Sequence, residues 1–255
     1  DKVFELGKNF RNEGLDRSHN PEFTMLELYE AYGDMRTMMR LVEDLVSGAA
    51  RELCGTLQVG LEGQEKIDLT PPWRVATFHE LVRERAGADW FEKPVAAARE
   101  WARAQELDIP AEMDHAQITH EVYGKLVEKT LMAPTFVTRL PAELVPLAKR
   151  CEDDPAVVDV FELVVRGREL APGYTELNDP LDQRARLEEQ AAGDAGKLDE
   201  DFLRALEHGM PPAGGMGIGI DRLVMVLTGA ESVRDVMLFP QMKLREPKPD
   251  EPQAE

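Results

Sequence analysis

The sequence is poor in cysteine. Its 255 residues include two cysteines, Cys54 and Cys151, which stand alone, with no CxxC or Cys/His spacing around them. A disulfide framework and a cysteine-ligated metal site are therefore not expected. Free thiols in a reducing cytoplasm fit this usage best.

Long apolar runs and a surplus of basic residues are also missing. No stretch approaches the ~18 consecutive apolar residues of a membrane-spanning helix, so no membrane segment is expected. The 49 acidic residues outnumber the 30 basic ones, which gives a net charge of −19. Such a protein repels nucleic acid over most of its surface, and any contact with a polynucleotide must come from a local group of basic residues.

The first residues contain neither an initiator methionine nor a signal peptide. The chain begins Asp1-Lys2-Val3 and enters a strand pattern at once, and we therefore expect it to be the tail end of a longer protein. Its length, with 43% hydrophobic residues, is enough for one large domain or two small ones.

Two strand patterns flank a polar loop near the start. Residues 3–9 alternate apolar and polar side chains, and residues 24–32 form a second strand pattern. On the second strand, positions 23, 25, 27 and 29 share one face. The arrangement gathers charged and aromatic side chains on one side, namely Arg11, Glu13, His19, Phe23, Glu27 and Tyr29. It indicates either a binding surface or an ordinary hairpin with surface ion pairs.

Helical patterns dominate the next part of the chain. Asp34 is an N-cap, and apolar residues follow it at three-to-four spacing up to Leu53. Thr77 and Glu80 form a capping box that opens a largely helical block, with helices predicted over 77–85, 94–105 and 115–131. The histidines of this block, at positions 79, 115 and 120, are interpreted as caps or surface groups rather than metal ligands.

The pattern divides the chain into four parts. We predict a core over 1–76, a helical insertion over 77–131, a second part of the core over 132–243 and a disordered tail over 244–255. Strands are predicted over 134–141, 157–165 and 214–220, and helices over 181–192, 199–206 and 221–227. Strands that cluster at both ends with helices between them favour an α+β fold with an antiparallel sheet.

The glycine-rich strand over 214–220 does not carry a dinucleotide fingerprint. Gly217 and Gly219 are followed by Arg222 where a third glycine is required. The bare backbone can accept a flat group, and Arg222 can hold a phosphate or stack on a ring. The alternative is close helix–strand packing with an arginine that faces solvent.

Three acids lie at intervals of seven residues. Glu162, Glu169 and Glu176 would alternate faces on a continuous strand, so the turn between them decides where each points. Two carboxylates beside a triphosphate would bind Mg2+, which prefers carboxylate oxygen and keeps several waters. The alternative is a solvated strand edge.

Three sequence words now stand in order: FRNEG with HNPEFTMLELY (10–14 and 19–29), FELVVRGRELAPGYTELNDP (161–180) and GGMGIGIDR (214–222). Together they resemble the class II lysyl-tRNA synthetases. The first word is similar to the second signature motif of that family, and the last word to its third. The resemblance runs from Val3 to about Lys243; aspartyl and asparaginyl relatives share the scaffold but differ in the HNPEFTMLE and TELNDP words.

The resemblance implies a class II aminoacyl-tRNA synthetase fold, an antiparallel sheet flanked by helices. It implies that ATP binds bent over that sheet with Mg2+, and that lysine is activated as its adenylate and transferred to tRNA(Lys). The full-length protein is expected to be a homodimer. This chain would be its C-terminal catalytic part, without the anticodon-binding domain and the first motif, and we expect weak or no activity from it alone.

The resemblance also implies roles for single residues. Arg11 would hold the α-phosphate and the amino acid carboxylate. Glu13 would contact the adenine side of ATP, and His19 would contact the outer phosphates. Phe23 and Arg222 would stack on the two faces of adenine, with Gly219 beside them. Glu162 and Glu169 would carry Mg2+, and the lysine side chain would be surrounded by Glu27, Tyr29, Tyr174 and Glu176.

Two positions depart from the family pattern. Pro172 stands where the family usually has asparagine, and Val145 where it usually has serine. Two other functions therefore stay open. One is a paralogue that lysylates a protein such as elongation factor P, and the other is a catalytically inactive module that binds an amino acid or a partner.

Overall fold

The computed structural model describes residues 1–12, 14–61, 63, 65–191 and 198–241. Glu13 and the tail over 244–255, for which we predicted a nucleotide contact and disorder, lie outside the described residues.

Seven strands in the described ranges form one sheet. They are β1 (Lys2–Phe10), β2 (Glu22–Ala31), β5 (Arg74–Thr77), β6 (Thr135–Thr138), β7 (Val160–Val165), β8 (Arg168–Thr175) and β9 (Ala213–Gly219). The spatial order is β1-β2-β9-β8-β7-β6-β5. Strands β3 (Gln58–Val59) and β4 (Ile67–Asp68) pair separately. The main sheet is antiparallel except where β5 joins β6, which confirms the predicted α+β class.

Helices flank this sheet, and several begin at the residues that the sequence predicts. The first, α1 (Met35–Ala49), starts after Asp34, whose carboxylate accepts from Thr37 N at 2.7 Å; it continues as a π-helical turn to Cys54 and ends at Gly55. The second, α2 (Phe78–Ala86), opens with the capping box of Thr77 and Glu80. The others are α3 (Val95–Ala104), α4 (His115–Val122), α5 (Pro180–Ala191), α6 (Glu200–Glu207) and α7 (Ile220–Thr228).

Two hydrophobic cores lie on opposite faces of the sheet. On β7, alternate residues divide between them: Phe161 and Leu163 face α1, while Val160 and Val164 face helices α2 to α4. The helical block thus packs on one face of β6 and β7. Its status as a separate insertion stays a prediction.

Two details differ from the sequence patterns. Strands β5 and β8 were not predicted, because β5 is short and β8 contains Pro172 and Gly173, which weaken a strand pattern. The histidines of the helical block were expected to be caps or surface groups, and His120 is exposed as expected. However, the His79 ring lies 4.2 Å from that of Phe91, and His115 Nε2 lies 3.1 Å from the carbonyl of Trp90. Within the described residues, no helix is long and apolar enough to cross a bilayer.

Candidate active site

The glycine strand β9 forms the floor of the site. It lies between β2 and β8, and its Gly215, Gly217 and Gly219 are directly opposite Tyr29, Glu27 and Met25 of β2. Residues directly opposite each other in an antiparallel pair point to the same face. The three glycines therefore leave an open strip beside the predicted binding face of β2.

Gly215 shows why the strip needs glycine. A Cβ at this position would lie 2.7 Å from the ring of Tyr29 and even closer to the carboxylate of Glu176. Tyr174 of β8 is also opposite Gly215. Because Gly215 has no side chain, the neighbouring tyrosine and carboxylate can project into the space above it.

A pair of carboxylates lies at this end of the strip. The hydroxyl of Tyr29 donates to Glu27 Oε2 at 3.2 Å, while Glu176 Oε1 is buried and has no hydrogen-bond partner among the described residues. Burial, together with the negative charge of Glu27, raises the pKa of Glu176 to about 7. Burial, together with the negative charges of Glu27 and Glu176, raises the pKa of Tyr29 to about 12. Burial and these two charges raise the pKa of Tyr174 as well. The four side chains form a cluster whose negative charge favours a bound cation.

A second group of predicted residues lies further along the same face. The guanidinium carbon of Arg11 is 5.2 Å from the ring centroid of Phe23, within cation–π range. Arg222 donates through Nη1 to the carbonyl of Glu169 at 2.7 Å, and its Nη2 lies 3.3 Å from His19 Nε2. These five residues line one cavity of about 300 Å³. Arg11 and Arg222 therefore lie on the same side of the molecule.

An adjoining cavity of about 580 Å³ has a mainly basic lining. It shares His19, Glu169 and Arg222 with the first cavity and adds other charged residues, namely Glu128, Lys129, Arg166 and Arg168. Burial, together with the charges of Arg222 and Arg166, lowers the pKa of Arg168. This acidic chain thus has a local group of basic residues. The net charge led us to expect that any contact with phosphates would come from such a group.

A β-bulge decides where Glu169 points. Glu162 is opposite Pro172, but the register between β7 and β8 then shifts at Leu163/Val164, so that Val164 is opposite Glu169. Without the shift, the seven-residue spacing would place the two acids on opposite faces. With it, Glu162 and Glu169 share one face. Burial raises the pKa of both, and the charge of Glu169 raises that of Glu162 further.

These two carboxylates fit a magnesium ion that completes its shell elsewhere. Carboxylate oxygen is the donor that Mg2+ prefers, and near each other two such groups are costly to ionise without a cation. Across the ranges that the structure describes, no group of three His, Cys, Asp or Glu residues could hold a metal ion. The other ligands would come from phosphate oxygens and water.

Several residues of the site were not predicted from the sequence. Glu128 and Tyr123 come from the helical block, and the hydroxyl of Tyr123 is buried without a partner in the described chain. Lys129 also belongs to this block, and no local pattern pointed to it. Arg166 and Arg168, however, belong to the RGR of the second sequence word. Their positive charges next to Glu169 could have indicated from the sequence that they line the site.

Comparison with known proteins now places the chain. Residues 1–243 match the family described as tRNA synthetases class II (D, K and N). The chain belongs to this family.

Curated relatives are similar over nearly all of the chain. It is 50% identical over 252 residues to a lysine–tRNA ligase of Bacillus subtilis (strain 168), covering 96% of this chain and 50% of the relative. Identity to the lysine–tRNA ligase of Moorella thermoacetica is 51% over 253 residues, covering 96% and 52%. For that of Thermosynechococcus vestitus it is 49% over 253 residues, covering 95% and 49%. The chain spans about half the length of the curated relatives it matches.

Proposed function

We propose that this chain is the catalytic part of a lysine–tRNA ligase, which joins lysine to ATP as lysyl-adenylate and transfers the lysyl group to tRNA(Lys). One observation carries the proposal. Glu27 and Glu176 lie together on the face of the sheet that also presents Arg11, Phe23 and Arg222 to a cavity. A pocket for an ammonium thus adjoins a pocket for a nucleotide.

The lysine pocket would work by charge and by hydrogen bonding. An ε-ammonium brings three donors and a positive charge to the carboxylates of Glu27 and Glu176, whose Oε1 has no other partner among the described residues. Tyr29 and Tyr174 would enclose the aliphatic stem. A side chain without the ammonium would leave buried carboxylates unpaired, which is the basis of the specificity.

The nucleotide cavity would hold ATP by its ring and its phosphates. Phe23 and Arg222 would stack on adenine, beside Gly219, with Glu13 on the adenine side. Arg11 would bind the α-phosphate and the carboxylate of lysine, and His19 the outer phosphates. The basic lining of the adjoining cavity supports this direction for the phosphate chain.

Activation requires no protein nucleophile. A carboxylate oxygen of lysine forms a bond to the α-phosphorus, the bond from that phosphorus to the β-bridging oxygen breaks, and pyrophosphate leaves with the electron pair. Arg11 orients the two reacting groups and stabilises the charge that develops on the α-phosphate, so catalysis is positioning plus electrostatics. Glu162 and Glu169 would hold Mg2+, which when bound neutralises the charge of the phosphate chain.

In the second step, a terminal ribose hydroxyl of tRNA(Lys) attacks the lysyl carbonyl carbon and AMP leaves. The homodimer is proposed from the family resemblance alone. Location in the cytoplasm is proposed because tRNA is charged there and because Cys54 and Cys151 are free thiols.

Calorimetric titration tests the amino acid pocket without requiring turnover. Lysine should bind, and norleucine, which has the same side-chain carbons but no ε-ammonium, should not. Ornithine, shorter by one methylene, should bind at least about tenfold more weakly. Equal binding of all three ligands would refute the lysine assignment.

Exchange of pyrophosphate into ATP then tests the chemistry. Exchange that depends on lysine and Mg2+ supports adenylate formation. Because weak or no exchange is expected from this chain alone, the assay is also run on the full-length protein, for which lysine binding without exchange would indicate the inactive binding module. Supplying tRNA(Lys) and elongation factor P together with labelled lysine separates the last two possibilities. Label on the protein instead of the tRNA would favour the paralogue.

A further inference from the structure

A buried arginine contacts the chain segment that pairs with the backbone of Glu176. Arg186 belongs to α5 and is 4% exposed. Its Nη1 donates to the carbonyl of Ala148 at 2.7 Å, its Nε donates to Asp182 Oδ1 at 3.3 Å, and its Nη2 lies 3.3 Å from Asp182 Oδ2. Burying a guanidinium costs desolvation free energy, and these contacts with Ala148 and Asp182 must offset that cost.

Gln183, on the same helix, makes a parallel contact. It is 1% exposed and donates through Nε2 to the carbonyl of Pro146 at 3.3 Å. Two buried polar side chains of α5 thus bind carbonyls of one segment, residues 146–148, which we call the clamp segment. Buried polar side chains normally satisfy such backbone groups, and losing one leaves a buried carbonyl unpaired.

The clamp segment is paired with the backbone of Glu176. Ala148 and Glu176 form an antiparallel bridge, Leu177 N donates to the carbonyl of Leu147 at 3.1 Å, and Lys149 N donates to that of Thr175 at 2.9 Å. On its other side, Glu176 N donates to Ala213 O of β9 at 2.8 Å. The backbone of Glu176 is therefore held between the clamp segment and the glycine strand.

The carboxylate of Glu176 needs this support. Its Oε1 has no hydrogen-bond partner in the described chain, so its own contacts do not fix its position at that oxygen. Binding an ammonium requires the carboxylate within hydrogen-bond range of it, and small displacements cost much of the interaction. A shift of the backbone at 176 would move this group directly, while the nucleotide cavity lies further along the sheet.

We propose that Arg186 is a positioning residue for amino acid recognition, which holds Glu176 in the lysine pocket through the carbonyl of Ala148. This inference rests on the proposed function, because it assigns Glu176 to the ammonium. Arg186 touches neither lysine nor ATP and acts only through the clamp segment.

The test compares Arg186→Met with Arg184→Met. Methionine keeps the length of the buried stem but removes the charge and the donors. Arg184 is on the same helix, but its side chain is 34% exposed and binds Glu200 at 2.8 Å, so its replacement is the matched control. Arg186→Met should weaken lysine binding by about tenfold or more and change ATP binding by less than about twofold, whereas Arg184→Met should change neither.

A conservative variant and a second readout separate positioning from general stability. Arg186→Lys keeps one charged donor and should recover part of the lysine affinity; it is also the variant to measure if Arg186→Met does not fold. Hydrogen exchange should become faster at residues 149, 176 and 177 in Arg186→Met and not in Arg184→Met. Parallel losses of lysine and ATP affinity, or unchanged lysine affinity and exchange in a folded variant, would overturn the proposal.

These outcomes are distinct from failure of the proposed function. If the unmodified chain does not bind lysine, the function is wrong. The hydrogen-exchange measurement then still decides whether Arg186 holds the backbone at Glu176.

Discussion

Glu27 is in the interior of β2, directly opposite Gly217, and shares its face with Tyr29. The next acid on the strand, Glu30, points to the other face and forms an ion pair with Lys2 at 3.1 Å. Two carboxylates on one strand thus have different surroundings, and they give a matched pair of variants.

Glu27→Gln should impair lysine binding far more than ATP binding. Loss of one charge-assisted contact to the ammonium should cost on the order of 2–4 kcal/mol. Calorimetry with each ligand measures the two affinities separately, with Glu30→Gln as the control that leaves both unchanged. Equal losses for lysine and ATP in Glu27→Gln would mean that the pocket is assigned wrongly.

Glu176 makes lysine binding dependent on pH. Its pKa of about 7 lies above the usual 4.5, so its carboxyl group is largely neutral below pH 7. The ammonium binds the charged form, and lysine affinity should therefore rise from pH 6 to pH 8, by at most about tenfold per unit. Titrations across this range should give a flat profile for Glu176→Gln. A wild-type profile that is also flat would contradict the assignment.

At the scale of elements, the bulge between β7 and β8 places the two candidate metal ligands, Glu162 and Glu169, on the same face of the sheet. Because it turns Glu169 to the face of Glu162, removal of either carboxylate should weaken the binding of ATP with Mg2+. Glu169→Gln should lose at least about tenfold in ATP affinity with Mg2+ present, and chelation should then have little further effect. Calorimetry with and without chelator measures this. Glu112→Gln, at an exposed acid, serves as the control, and an unchanged Mg2+ effect in Glu169→Gln would argue against this site.

The packing of α1 on β9 depends on another glycine. A Cβ on Gly214 would lie 2.7 Å from the backbone oxygen of Asp34, the residue that caps α1. Gly214→Ala must move the helix, and we expect it to lower the free energy of unfolding by about 1–3 kcal/mol.

Gly48, within α1, is the opposite case, because a Cβ there meets nothing within 4 Å. Gly48→Ala should raise the free energy of unfolding by roughly 0.5–1 kcal/mol, since alanine loses less entropy in a helix. Urea denaturation measures both variants. A stabilising Gly214→Ala would contradict the close packing of β9 against Asp34, and a destabilising Gly48→Ala would contradict the open space at Gly48.

At the scale of the whole molecule, the two cores share one sheet. The helical block has no core of its own, because Val137, Val160 and Val164 of the sheet complete the cluster that contains Trp90. Trp73 belongs to the cluster on the other face. This arrangement predicts that the block does not unfold separately.

Single-cluster reporters test that prediction. Trp73→Phe leaves tryptophans in the helical block, and the double variant Trp90→Phe/Trp101→Phe leaves one in the other core. In each variant, the denaturation curves from fluorescence and from far-ultraviolet circular dichroism should coincide, as in a two-state transition. Separate transitions would instead identify residues 77–131 as an independent domain.

Much of the fold follows from local patterns in the sequence. Alternation predicted β1 and β2, the capping residues Asp34 and Thr77 predicted two helix starts, and the order of elements predicted an α+β sheet. These features depend on residues close to each other along the chain, so that a short window contains their physical cause. The shared face of Phe23, Met25, Glu27 and Tyr29 follows in the same way from the period of a strand.

Only the tertiary structure decided how the site is completed. The face of Glu169 depends on a shift of register between β7 and β8, and the basic lining from Lys129, Arg166 and Arg168 depends on how the helical block meets a hairpin turn. The contact of Arg186 with Ala148 joins residues that are far apart along the chain. Such contacts arise from pairing and packing between distant segments, whose energies no local pattern contains.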